Sequence, residues 1–296
     1  GDKGFYCKIG NPFYAQAPYS HFYNSWQSPE YQKIFIDYKQ ALIEGRVSEK
    51  FIEEAKEKPL FDVLFECKFP QENSMDRKGF VSLLSRKEIE LAMDETEDTP
   101  ILGEKALGID VADTGSNSSV IVQRGMNLAE ILFCSSGIEI MAFVGHCINT
   151  IKETGVNALN TFIDKIGVGA GAAARINEQG LPINRVNVAT PALDDKSFFN
   201  KRAECYWLLR TWIKNGGKLR KDDRWYQLCD IKYRANDSSG KIQIMSKEEM
   251  RRSGIPSPDC GDALMMTFAQ PTQITNKTFE QRFFLKRMWE NRKQKL

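Results

Sequence analysis

Three groups of acids in this chain stand where acids are costly. Asp110 lies inside Leu107-Gly108-Ile109-Asp110-Val111, and Asp164 closes Leu159-Asn160-Thr161-Phe162-Ile163. Asp259 and Asp262 open the apolar run Ala263-Leu264-Met265-Met266. A carboxylate carried into such surroundings gives up its water, at a cost of several kcal/mol, unless a cation or a donor compensates. With 2 histidines, and 7 scattered cysteines that form no C-x-x-C pair, little is left for a zinc site or a histidine triad. Carboxylates alone make a hard-oxygen site suited to Mg2+ or Mn2+. Two such ions, roughly 3.5–4 Å apart, could activate a water and stabilise the leaving oxygen of a phosphodiester, which is nuclease chemistry.

The elements around these acids must bring them together. Apolar alternation predicts strands at about 105–112, 118–125 and 128–135, a helix near 137–155, a strand at 158–164 and a Gly/Ala-rich helix from about 168. A strand at 183–189, a helix over 197–214, a hairpin around 236–240 and a last helix from Gly261 follow. Three hairpin-connected strands and then alternating helix and strand describe a mixed sheet flanked by helices, the order of the RNase H-like α/β fold. In that fold acids from the first strand, the fourth strand and a late helix converge at one edge of the sheet. Gly167-x-Gly169-x-x-Ala172 competes as a dinucleotide fingerprint, but it follows three hairpin strands and no acid stands about 20 residues later on a strand end. Asp259 alone also reads as a helix cap, whereas Asp262, one turn inside at i, i+3 spacing, does not.

Among 296 residues, 42% hydrophobic and 27% charged is the composition of a soluble globular protein. Neither a signal-peptide pattern nor an apolar run of roughly 18 residues occurs, so an intracellular, non-membrane protein with reduced, mostly buried thiols is expected. Net charge is +2, yet residues 196–252 hold 15 Lys/Arg against 7 Asp/Glu, and residues 277–296 hold 7 against 2. A basic C-terminal third suits a polyanion, and equally a solvated surface. The aromatic residues between 13 and 26 read as packing, Ser48 as the cap of a helix ended by Pro59, and the acids of 87–100 as a helix running into a linker, with the domain boundary there.

Four segments together resemble the C-terminal nuclease domain of the large terminase subunit of tailed phages: Gly108-Ile109-Asp110-x-Ala112 with Gly115 and Ser119; Ile163-Asp164-x-x-Gly167-Val168-Gly169-x-Gly171; Gly240-Lys241 to Ser246-Lys247; and Ser257-Pro258-Asp259-x-x-Asp262-Ala263-Leu264. Residues 1–75, with Ile9-Gly10-Asn11-Pro12, look similar to the end of the terminase ATPase domain. No G-x-x-x-x-G-K-[ST] occurs, so no ATP hydrolysis is expected. The resemblance implies an incomplete ATPase remnant and linker over 1–100, an RNase H-like nuclease over 101–275 and a basic tail over 276–296. It implies catalysis and metal ligation by Asp110, Asp164 and Asp262, with Asp259 as an additional or alternative ligand, and Mg2+ or Mn2+ as cofactor. Asn117 stands where the family often has an acid, and Asp113 is a possible substitute. Lys247 matches a lysine that holds a phosphate or orients an acid.

Lys218, Arg220, Lys221 and Arg224, with Lys232, Arg234 and Lys241 on the hairpin, are expected along a DNA duplex, touching phosphates without reading sequence. The resemblance further implies double-stranded concatemeric DNA as substrate, the portal protein and small terminase subunit as partners, and the cytoplasm of an infected bacterial host. A RuvC-like resolvase or transposase core is an alternative within the fold. A catalytically weak module that grips DNA and docks within the motor is another.

Overall fold

The computed structural model describes residues 7–12, 21–56, 61–69, 79–112, 117–165, 167–235 and 240–269. Four short helices come first: α1 (His21–Gln27), α2 (Tyr38–Ile43), α3 (Glu49–Lys56) and α4 (Phe61–Leu64). Asp37 caps α2 and the Ser48 hydroxyl accepts from the amide of Phe51, as expected of that serine. Aromatic packing ties these helices together, with Phe61 stacked on Phe65 and Tyr38 against Phe61.

After β1 (Val81–Ser82), a Ser85–Glu88 capping box starts α5 (Arg86–Met93). The central sheet then forms from β2 (Ala106–Asp110), β3 (Ser118–Arg124), β4 (Leu128–Ser136), β5 (Thr161–Asp164), β6 (Asn184–Val186) and β7 (Lys218–Leu219). Its order is β6-β5-β2-β3-β4-β7, antiparallel across β2-β3-β4 and parallel elsewhere. A smaller sheet joins β1 to β8 (Lys232–Ala235) and β9 (Ile242–Ile244).

Alternation sorts the side chains of the central sheet onto two faces. Leu107, Ile109 and Ile121 pack with Phe143, Val144 and Cys147 of α6 (Ile140–Thr154) and Ala172 and Ile176 of α7 (Val168–Glu178). Val120, Val122 and Phe162 face the other way. They share a core with Tyr206 and Leu209 of α8 (Lys201–Lys214), Met250 of α9 (Lys247–Arg252) and the buried side of α10 (Asp259–Met266). Gly108 is required at the contact of α10 with β2, because a Cβ there would lie 1.9 Å from the carbonyl oxygen of Ala263. Backbone therefore meets backbone.

The mixed, helix-flanked sheet expected from the sequence is present, with shorter elements. Residues 158–160 form a 3-10 turn capped by Asn157, so β5 begins only at Thr161. The Asn187 side chain accepts from the amide of Ala189 and turns the chain out of β6, which ends at Val186. Asn200 caps α8 and delays its start to Lys201. The last helix starts two residues earlier than expected, at Asp259.

Phe80, Leu83, Leu84, Ile89 and Met93 are buried in the same core as α8 and α10, so β1 and α5 pack with the sheet although they precede the boundary expected near residue 100. The acidic stretch after them is fastened down. Arg220 donates to the carbonyl oxygens of Thr96, Glu97 and Thr99 and pairs with Glu130. All seven cysteines are free, and Cys147, Cys205 and Cys260 are buried. Among the described residues no helix is long and apolar enough to cross a membrane.

Candidate metal centre

Register brings the first two acids together. β2 and β5 run parallel with Ile109 opposite Ile163, so one step further Asp110 stands beside Asp164 on strands about 4.8 Å apart. Ile109 and Ile163 point to the α6–α7 face, which turns Asp110 and Asp164 toward α10. Gly169 lets α7 come down on the end of β5, since a Cβ there would lie 2.4 Å from the Asp164 carbonyl oxygen. That glycine serves the packing of the protein on itself, and the doubly wound unit that a dinucleotide fingerprint requires is not what surrounds it.

α10 supplies the other two acids, both buried. The Asp262 Oδ1 atom accepts from the Tyr206 hydroxyl at 2.5 Å and lies 3.5 Å from an Arg202 nitrogen, while Oδ2 is 2.8 Å from Lys247 Nζ. Asp259 is the first residue of α10 and does not cap it; its Oδ2 accepts from the amide of Ser118 at 2.6 Å, tying the helix to the start of β3. Tyr206 and Arg202 went unnoticed in the sequence. Their i, i+4 spacing places them on one face of α8, but only the fold turns that face toward α10.

The two central carboxyls differ in electrostatics. Burial pushes Asp110 up to about 7; Lys247 opposes this, and the charges of Asp262, Asp259 and Asp164 reinforce it. Burial also works against the charge on Asp262, but Lys247, Arg202 and the donated hydrogen bonds outweigh it and hold that carboxyl below the ordinary range. Lys247 in turn is held charged by Asp262 and Asp110. The four acids thus form one electrostatic cluster with two protein cations at its Asp262 side. In this arrangement no three His, Cys, Asp or Glu side chains among the described residues close round a single point. Asp259 and Asp262 are turned to protein donors.

The basic residues distribute unevenly. Ala106 lies opposite Arg124, Arg124 opposite Ala129, and Ala129 opposite Leu219, so Arg220 belongs to the far end of the sheet. That is about 14 Å across and about 10 Å along the strands from Asp110. Lys218 donates to the carbonyls of Leu91 and Asp94, and Arg220 is spent on the acidic stretch. Both fasten residues 91–99 to the sheet, which competes with their expected place on DNA. Lys221 pairs with Glu97, Arg224 with Asp222, and the Arg234 guanidinium lies 4.5 Å from the Phe80 ring centroid. Lys232 and Lys241 flank the hairpin, whose tip at 236–239 lies outside the described residues, as do Asp113, Gly115 and the tail 276–296. Asn117 is exposed beside the cluster's strand β3.

No family model matches the sequence, and no curated protein does. Solved structures do match. The nuclease domain of the large terminase subunit gp2 of bacterial virus Sf6 superposes with a TM-score of 0.55 at 22% identity, over 65% of this chain and 100% of that one. The chain has the fold of a terminase nuclease domain. A mutant of the Sf6 domain with calcium gives a TM-score of 0.57, at 22% identity over 64% of this chain and 100% of that one. A mutant with manganese and β-thujaplicinol gives 0.56, at 22% identity over 65% of this chain and 100% of that one.

Proposed function

We propose that this chain is a divalent-metal-dependent endonuclease of a tailed-phage terminase large subunit, cutting concatemeric double-stranded DNA during packaging. The observation that carries this reading is the convergence of Asp110, Asp164, Asp259 and Asp262 from three elements onto one electrostatic cluster. The donors are all carboxylate oxygens, and four acids face two protein cations, so the residues fit a hard divalent ion such as Mg2+ or Mn2+. Asp110, Asp164 and Asp262 would hold the metal, with Asp259 as an auxiliary ligand anchored to Ser118. When bound, the metal supplies Lewis-acid activation of water and charge neutralisation at the phosphodiester, with two ions the full set. The manganese and calcium in the Sf6 structures support a divalent cofactor.

The protein's own groups do the rest. Asp110, strained toward its neutral form, gains most from a cation placed beside it. Lys247 is half exposed and reaches Asp262, so its ammonium orients that acid and presents positive charge to an incoming phosphate. Lys221, Arg224, Lys232, Arg234 and Lys241 remain the candidates for holding the duplex, and the N-terminal helices are read as the end of a packaging ATPase. The portal and small subunit are the proposed partners.

The test is nicking of supercoiled plasmid with Mn2+, run beside Asp110→Ala. Loss of nicking in the variant is expected. Equal nicking by both proteins would refute the assignment, and none by either would favour the weakly catalytic docking module, which Asn117 keeps in view. Preferential cutting of four-way junctions would move the reading to a resolvase.

A further inference from the structure

Asp262 is the most heavily engaged of the four acids, and the groups that engage it come from one helix. Arg202 and Tyr206, one turn apart on α8, both reach Oδ1; Tyr206 is fully buried and Arg202 nearly so. The Tyr206 hydroxyl donates to Oδ1 at 2.5 Å. Arg202 has a second attachment, donating to the carbonyl oxygen of Met245 at 2.7 Å. Met245 directly follows β9, and Ser246 caps α9, whose first residue is Lys247. One guanidinium therefore ties the acid on α10 to the chain that delivers the lysine on the acid's other oxygen.

Resting on the metal-site reading above, we propose that Tyr206 and Arg202 are positioning residues. They fix the rotamer of Asp262 by committing Oδ1 to α8, so that Oδ2, which Lys247 Nζ approaches at 2.8 Å, is the oxygen a divalent cation would share with that lysine. Neither residue touches the ion. A buried carboxylate held by two or more donors does not swing, and partners that orient a ligating group typically contribute 10–100-fold to metal affinity. Tyr206 is the cleaner of the two, because replacing it with phenylalanine removes one oxygen and leaves the ring packed in the core.

The experiment is an Mn2+ titration of the full chain, with free Mn2+ read by electron paramagnetic resonance and nicking measured across the same concentrations. Tyr206→Phe should weaken Mn2+ binding by about 10–100-fold. The Mn2+ concentration for half-maximal nicking should rise to match, with the plateau rate at saturating Mn2+ restored to within about threefold. A general loosening of the fold would lower the plateau instead. Arg202→Lys keeps the charge beside Asp262 but cannot also span to Met245; it should weaken Mn2+ in the same direction, and it carries the test if the phenylalanine variant does not fold. Wild-type affinity in Tyr206→Phe, alongside lost binding in Asp262→Asn, would overturn the positioning role alone. Unchanged binding in Asp262→Asn and Asp110→Asn would instead overturn the metal site, and the positioning role with it.

Discussion

Replacing Asp110 with asparagine should make the metal-free protein more stable at neutral pH, by an amount that grows with pH. The folded protein holds this carboxyl at about 7 against an ordinary 3.8. A raised acid binds its proton more tightly in the folded state, so its contribution to stability is greatest below the ordinary value and is lost as pH rises through 7. At 1.36 kcal/mol per unit, the full penalty above pH 7 is on the order of 4 kcal/mol, of which about 2–3 kcal/mol accrues between pH 5 and 8. Asparagine has nearly the same shape and no such titration. The stability difference between Asp110→Asn and wild type, followed by urea unfolding with chelator present, should therefore widen by about 2–3 kcal/mol from pH 5 to pH 8. In melting temperature that is roughly 5–10 °C for a domain of this size. Millimolar Mn2+ should close the gap at pH 8 by stabilising wild type alone, since a ligand at 100 times its Kd contributes about 2.7 kcal/mol. A difference that stays flat across the range, or equal stabilisation of both proteins by Mn2+, would refute the electrostatic account of the cluster.

Other substitutions probe the scaffold. Arg220→Ala should cost about 2–3 kcal/mol in denaturant unfolding by freeing three backbone carbonyls and Glu130, while DNA affinity in a filter assay stays within about twofold; a loss of DNA binding without a loss of stability would restore Arg220 to the interface. Gly169→Ala forces a methyl to 2.4 Å from the Asp164 carbonyl oxygen, so it should cost about 1–3 kcal/mol and depress nicking although residue 169 bears no functional group. Cys147→Ser should leave Mn2+ affinity and nicking unchanged, because that thiol is buried on the opposite face of the sheet and held un-ionised by burial; altered metal binding would place it in the wrong core.

Much of the site could be read from the chain because buried charge is conspicuous. An aspartate between Ile109 and Val111, or closing Phe162-Ile163, has no inexpensive explanation other than a partner, and strand alternation then fixes the face it points to. The order of hairpin strands followed by helix and strand likewise led to the mixed sheet. The partners of a buried acid are a different matter, being nonlocal: Arg202 and Tyr206 sit in a helix where arginine and tyrosine are ordinary, and only the packing of α8 on α10 gives them a role. Local signals also mislead about where cations go. Lys218 and Arg220 belong to a basic cluster in sequence, yet carbonyl oxygens at the end of α5 and along residues 94–99 take up their donors. Those residues have the composition of a solvated linker, and nothing local reveals that an arginine some 120 residues later pins them.

The contact between Gly108 and Ala263 has a consequence for how the site can vary. How far apart Asp110 and Asp262 sit is dictated by two main chains touching, two positions from one acid and one from the other. Acids can be exchanged for other oxygen donors without disturbing that gauge, whereas any side chain at 108 resets it for every ligand at once. Anyone wishing to retune this centre for a larger or smaller cation would do better to edit the spacer than the carboxylates.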